Sequence, residues 1–213
     1  MSKSFEGVVK ARIIEARFAL SGKVAGVSKH TGDIVKKWDL LASLDRKMLQ
    51  MELDKELADF EKVRADFESF AKKFPDPQDD NKFTKAEKQA SLNASVKSVE
   101  LAKAKLDQVN LFSPVDGVIL DDSGIVPGLF ITPAGSSVKI VDTSSYYFEI
   151  EIKQKEISLF EKTREVTVKI DNLETTLKSQ TSPILSDGKS FLIQIPISAP
   201  SLLLGMVGEA KFS

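Results

Sequence analysis

The sequence predicts a mainly β protein with an inserted α-helical hairpin. Two stretches of short β-prone segments flank a central stretch of helical periodicity, the flanking stretches repeat one another at a near-constant offset, and the chain closes on further short strands. Five parts are expected. Residues 1–20 are N-terminal strands that join a β-barrel domain, and residues 21–46 and 111–143 are the two halves of one split β-sandwich. Residues 47–110 form an antiparallel two-helix coiled-coil hairpin, and residues 144–213 form the β-barrel domain.

In residues 5–46, Val8, Ile13, Ile14, Phe18, Val24 and Val27 fall in short β-prone runs punctuated by Gly22, Gly26 and Gly32. From about Leu40 the texture turns helical. Leu53, Leu57, Phe60, Phe67 and Phe74 keep 3/4 spacing, with Arg64 and Ala71 at the intervening seam positions and Glu and Lys on the other faces. The helix must stop at Phe74-Pro75-Asp76-Pro77, because proline lacks a donor and disfavours helix in the residue before it. Gln78-Asp79-Asp80-Asn81 completes a polar turn. A second helix is expected from about Phe83 to Val109, with Leu92, Val96, Val99, Ala102, Leu106 and Val109 as its apolar stripe. Two such helices joined by a short turn pack antiparallel, and arms of ~30 residues reach ~45 Å at 1.5 Å per residue. After Asn110 strands return. Tyr-Tyr-Phe-Glu-Ile-Glu-Ile, from Tyr146 to Ile152, alternates as a half-buried strand. Residues 154–162 read as one short helix, and residues 166–170, 191–197 and 208–212 as further strands.

The two β regions beside the hairpin share a pattern. Gly22-Lys23-Val24 matches Gly117-Val118-Ile119 at an offset of 117 − 22 = 95, Gly32 matches Gly128 at 96, and Leu44-Asp45 matches Val141-Asp142 at 97. Each unit begins with Gly, turns at a second Gly and closes an apolar run with Asp. Units this small cannot bury a face alone, so the two are expected to pack as one quasi-symmetric sandwich.

Composition narrows the function. Lys+Arg 30 against Asp+Glu 31 leave a net charge of -1, without the basic footprint of a nucleic-acid binder. Zero Cys excludes disulfides and thiolate chemistry, and a single His cannot assemble a zinc site of ordinary composition. His30 lies in an expected solvated turn, and Asp121-Asp122 reads as a surface turn. Asp76, Asp80 and Glu87 take positions 1, 5 and 12 of a calcium loop, but Asn81 stands where such a loop needs Gly, so a polar turn is the better reading. Arg46-Lys47-Met48 superficially resembles the Met-Lys-Met of biotin or lipoate carriers. Carrier chemistry needs that lysine at a tight β-turn, whereas here a helix continues into Leu53. No nucleophile, base or phosphate loop emerges, so neither catalysis nor a cofactor or metal site has a candidate. The start, Met1-Ser2-Lys3-Ser4-Phe5-Glu6-Gly7, lacks the apolar stretch of a signal peptide. The protein is therefore expected to be cytosolic, or to have its export signal or anchor outside this chain.

Gly32-Asp33-Ile34-Val35-Lys36-Lys37-Trp38-Asp39-Leu40-Leu41-Ala42-Ser43-Leu44-Asp45 resembles the first lipoyl half-motif of HlyD-like membrane fusion proteins, the periplasmic adaptor subunits of bacterial efflux pumps and secretion systems. Ser113-Pro114-Val115-Asp116-Gly117-Val118-Ile119 is similar to the second half-motif, and Leu203-Leu204-Gly205-Met206-Val207 to a Leu-x-Pro-Gly-Met element near the end of the family's barrel domain. Trp38 replaces a frequent glycine, Leu204 replaces the usual proline, and the hairpin shows no clear Arg…Leu…Ser docking pattern. The resemblance implies a split lipoyl-like sandwich. It also implies a non-enzymatic adaptor linking an inner-membrane ABC- or RND-type transporter to an outer-membrane channel or the cell envelope. Such an adaptor would act as a ring-forming homo-oligomer, periplasmic or extracytoplasmic, held to the membrane through an N-terminal segment absent from this chain. On the hairpin, Phe70, Phe74 and Phe83 lie near the turn and are the candidate partner-docking residues. The alternative functions are a biotinyl/lipoyl-type carrier and a purely structural coiled-coil module.

Overall fold

Alternation of apolar and polar residues selects the inward faces of the strands, and glycines set where strands approach or turn. The computed structural model describes residues 4–75, 79–160, 165–171, 176–181, 183–186 and 190–212. Its strands form three antiparallel sheets, and two long helices stand between the strands of the first two sheet-forming regions.

Two four-stranded sheets face each other across one core. The first region supplies β2 (Ile13–Ala16), β3 (Gly22–Val27), β4 (Ile34–Val35) and β5 (Leu40–Leu44). The second supplies β6 (Asn110–Phe112), β7 (Gly117–Asp121), β8 (Phe130–Ile131) and β9 (Val138–Asp142). The sheets run β2-β9-β7-β4 and β6-β5-β3-β8, so each region donates two strands to each sheet. The exchange is reciprocal: β4 pairs with β7 through Ile34↔Val118, and β8 pairs with β3 through Gly22↔Ile131. Its hydrogen bonds repeat with the sequence offset. Gly32 N donates to Ile119 O at 2.8 Å, and Gly128 N donates to Val24 O at 2.8 Å. Both glycines stand at positive φ, +93° and +91°, where a side chain would be strained. Val24, Val35, Leu41, Ile119, Ile131 and Ile140 fill the space between the sheets. The repeat is therefore four strands long and starts at β2, earlier than the Gly22 anchor. Ile13–Ala16 pairs with β9 and does not join the barrel strands, which corrects the expectation for residues 1–20 in that stretch.

Gly117 lies inside a buried strand, in contrast to a turn. A Cβ there would sit 2.1 Å from the Val141 carbonyl oxygen, so only glycine lets β7 and β9 close.

The helices are α1 (Lys47–Lys73) and α2 (Asp79–Asp107). Asp45 Oδ1 accepts from Lys47 N at 2.9 Å, which satisfies one of the free donors at the start of α1. At the far end Phe74 N donates to Phe70 O, and Pro75 prevents continuation. Asp76, Pro77 and Gln78 of the expected turn lie outside the described residues. The pairs Lys105–Glu52 and Lys88–Asp66 connect the two helices in antiparallel register.

The helix seam is in a different phase from the one expected. Leu49, Leu53, Glu56, Phe60, Val63, Phe67, Phe70 and Phe74 are half-buried, as is Ala71 of the expected phase, whereas Leu57 (42%) and Arg64 are exposed. Two heptad phases share Leu53, Phe60, Phe67 and Phe74. The phase through positions 57, 64 and 71 would press Arg64 into the seam. The observed phase brings in Val63 and Phe70 and leaves Arg64 outside, paired with Glu61 and Glu68.

The third sheet draws on both ends of the chain. Its order is β12-β11-β15-β1-β10-β14-β13, from β1 (Ser4–Lys10), β10 (Tyr147–Ile152), β11 (Glu165–Ile170), β12 (Thr176–Gln180), β13 (Leu185–Ser186), β14 (Phe191–Pro196) and β15 (Val207–Phe212). It curls as a half-barrel, and Ser179 Oγ on β12 donates to Pro196 O on β14 at 2.6 Å, drawing the far strands together. Val9, Phe148, Ile150, Val168, Ile193 and Ile195 are fully buried inside the curl. Phe5, Phe160 and Phe212 meet edge to face near one end, with centroids 4.9–5.5 Å apart. The expected short helix appears as a 3₁₀ turn, Gln154–Phe160.

Two outcomes are expected. Gly117→Val forces the β7–β9 approach apart and lowers the free energy of urea unfolding by about 1–3 kcal/mol. Replacing residues 47–109 with a short Gly/Ser linker leaves the two-sheet core folded, with a cooperative melt by circular dichroism; a molten product would show that the helices are needed to assemble it.

Candidate functional site

Among the described residues, the chemistry-bearing side chains singled out in the sequence, His30 and Lys47, lie on separate elements. His30 sits in the β3–β4 loop, with Nδ1 3.5 Å from Asp122 Oδ2 of the β7–β8 loop. Thr31 N also donates to Asp122, and Asp122 N donates back to Thr31 Oγ1. Burial pushes the Asp122 carboxyl up, but donors from Gly124, Thr31 and His30 outweigh it and hold it below the usual carboxylate range. This arrangement clasps two loops together. Lys47 begins α1 and is exposed on a helix, so the tight β-turn that a carrier lysine requires is not there. Among the described residues no three His, Asp or Glu side chains converge as a metal site. No helix among them is long and apolar enough to cross a membrane.

What the fold presents is surface. The distal ends of the two helices carry the aromatic residues singled out in the sequence, and the seam phase decides how each is presented. Phe70 and Phe74 face the seam and are half-buried, with ring centroids 5.0 Å apart. Lys88 lies 5.7 Å over Phe70 and Lys73 lies 5.5 Å over Phe74, so cations cover the outer ring faces. Phe83 is separate from this pair and 81% exposed, in the first turns of α2. The structure thus brings Phe70 and Phe74 together and leaves Phe83 as the free aromatic side chain near the helix ends.

A second surface is built where Ser113-Pro114-Val115-Asp116 meets the β4–β5 turn. Ser113 is fully buried, and its Oγ donates to Val115 O. Trp38 N donates to Ser113 O at 2.8 Å, Ser113 N donates to Asp39 O at 2.9 Å, and Lys37 N donates to Asp116 Oδ1 at 2.7 Å. This explains the polar residues of the motif: they hold a turn whose tip, Trp38, is 71% exposed. The departure from glycine at position 38 marks the turn as unusual in sequence, and the structure adds that the indole faces solvent.

No family model matches the sequence, and no curated protein is similar enough to it to be matched. Solved structures are. The chain aligns over 100% of its length, with 81% of the other chain covered, to a MacA–MexA chimera that contains the Pseudomonas aeruginosa MexA α-hairpin domain (TM-score 0.83, 20% identity). It aligns over 99% of its length to the membrane fusion protein Spr0693 from Streptococcus pneumoniae R6, covering 98% of that chain (TM-score 0.80, 14% identity). MacA from Actinobacillus actinomycetemcomitans matches over the whole chain and 78% of its own (TM-score 0.62, 16% identity). The chain has the fold of membrane fusion proteins. At these identities the likeness is one of architecture.

Truncation tests the seam assignment. Phe60→Ala should lower stability by about 2–3 kcal/mol, below the ~3–5 of a fully enclosed ring because the seam is thin. Phe83→Ala should stay within ~0.5 kcal/mol of the parent. Thermal melts of the two variants check both, and equal losses would put Phe83 in the seam.

Proposed function

We propose that this chain is a membrane fusion protein of the HlyD-like kind. It would be a non-enzymatic periplasmic or extracytoplasmic adaptor linking an inner-membrane ABC- or RND-type transporter to an outer-membrane channel or the cell envelope, so that the transporter supplies energy and the adaptor supplies geometry. The observation that carries the reading is the order of parts. One sandwich is split by a helix pair and followed by a half-barrel that recruits the N-terminal strand, and this order aligns end to end with membrane fusion proteins. In this reading residues 21–46 and 111–143 are the lipoyl-like halves, residues 47–110 the hairpin and residues 144–213 the barrel domain. The adaptor acts as a membrane-associated homo-oligomeric ring. The hairpin end docks the outer partner, with Phe83 as the exposed contact and Phe70 and Phe74 shaping the surface behind it.

The helical setting of Lys47 argues against the biotinyl/lipoyl carrier. A photo-crosslinking residue at position 83 in the native host tests the adaptor: the expected adduct is an envelope channel or cell-wall component. Phe83→Ala should reduce export at unchanged protein level. Adducts restricted to a cytosolic enzyme complex, or an intact-mass gain at Lys47 in a lipoylating host, would overturn the reading.

A further inference from the structure

Trp38 combines two features that are each unfavourable in an isolated chain. Its backbone stands at φ +74°, a region L side chains avoid, and its indole is 71% exposed. The turn that carries it is not loose. Besides the three bonds already described, Lys36 N donates to Asp39 Oδ2 and Asp39 N to Lys36 O. Lys37 Nζ stands 5.5 Å from the indole, and no salt bridge among the described residues engages Lys36 or Lys37. A hydrogen-bonded turn thus displays an aromatic ring beside two cations outside any salt bridge among the described residues, one of them over the ring itself, and exposed Ile34 (75%) lies on the strand that enters it.

The outer face of the half-barrel carries the opposite chemistry. A cavity of about 620 Å³ opens across β1, β10 and β15. Val8 pairs with Val207 and Glu6 with Glu209 across it, Glu151 and Asp171 also line it, and so does Lys10, which is ion-paired with Glu149. Like charges directly opposite across a strand pair are destabilising, and Glu6, Glu151 and Asp171 have no salt bridge among the described residues. The cavity has room for an indole beside Val8 and Val207, and carboxylates for two lysines.

We propose that the Lys36-Lys37-Trp38 turn of one copy inserts into the Glu6–Glu151–Glu209 groove of a second copy. The inference rests on the homo-oligomer of the proposed function and names its contact. The two surfaces are different patches of one chain, so the contact is head-to-tail, and a joined pair keeps one turn and one groove free. Repetition then generates a closed ring or an open filament. Among possible occupants a second copy is favoured because both complementary surfaces, apolar centre and opposite charge included, are present in this sequence at net charge -1.

The test is sedimentation velocity of the full chain at low and high salt. The parent should self-associate, less so as salt rises. Trp38→Gly should raise the melting temperature, because strain is relieved, and weaken association at least tenfold. Lys36→Glu with Lys37→Glu, and separately Glu6→Lys with Glu151→Lys, should each weaken association, and mixing these two variants should restore assembly. Association that survives all variants, a parent that stays monomeric, or a mixture that fails to assemble would overturn the contact. If the variants instead lose binding only to the envelope partner, the groove's occupant is not a second copy. Each of these failures leaves the adaptor reading standing, since the crosslink at position 83 reads it independently.

Discussion

Backbone hydrogen bonds that cross between the two halves of the sandwich close it, and the rest of the molecule is placed by them. Gly32 N–Ile119 O and Ile119 N–Asp33 O join the halves on one side, and Gly128 N–Val24 O and Val24 N–Leu129 O join them on the other. The members correspond at 128 − 32 = 96, 119 − 24 = 95 and 129 − 33 = 96. Buried backbone donors and acceptors must be paired, and here β3–β5 and β7–β9 pair within a half, whereas β2, β4, β6 and β8 pair only across the halves. Strands β4 and β8 are two residues each and would find no partner within their own half. Helices of 27 and 29 residues can therefore be inserted between the halves only because the closure is fixed by register, whatever the length of chain between.

Equivalent positions then serve unlike exits. Asp45 Oδ1 accepts from the amide two residues on, and Asp142 Oδ1 accepts from Ser144 N two residues on at 3.0 Å, so the same side-chain turn ends each half. After Asp45 the turn starts α1; after Asp142, which is buried and paired with Arg12, it leads into β10 of the half-barrel. β1 sits between β15 and β10, so the start and the end of the described chain meet in one sheet. Export geometry follows in the proposed function, since the helices leave one end of the sandwich and the barrel the other.

The anchors of the repeat were legible because glycine and aspartate are there for backbone reasons that leave a mark in sequence. Gly117 answers a close approach, Gly32 and Gly128 positive φ, and Asp45 and Asp142 the closing turns. β2 and β6 were less legible. They are edge strands of four and three residues; the partner of β2 lies 141 − 13 = 128 residues away at Ile13↔Val141, and that of β6 lies across the inserted helices. β12, Thr-Leu-Lys-Ser-Gln, was missed because it has a single apolar side chain, and its place is set by pairing with β11. The helix pair was read correctly in kind and wrongly in phase: two heptad frames share half their positions, and the cost of burying Arg64 separates them only when all seam positions are compared. That phase also divides the Phe70, Phe74 and Phe83 group, which looked like one patch in sequence. The environment of Trp38 depends on Ser113 and Asp116, some 75 residues distant, and no local pattern announces it.

The central claim is that the sandwich is one cooperative unit closed by exchange between its halves. Native-state hydrogen exchange of the Val24, Gly32, Ile119 and Gly128 amides tests it most directly. All four should exchange through one opening event, with a shared opening free energy and a shared dependence on denaturant. If Val24 and Gly32 exchange at markedly lower free energy than Ile119 and Gly128, or the reverse, each half opens on its own and the account is contradicted.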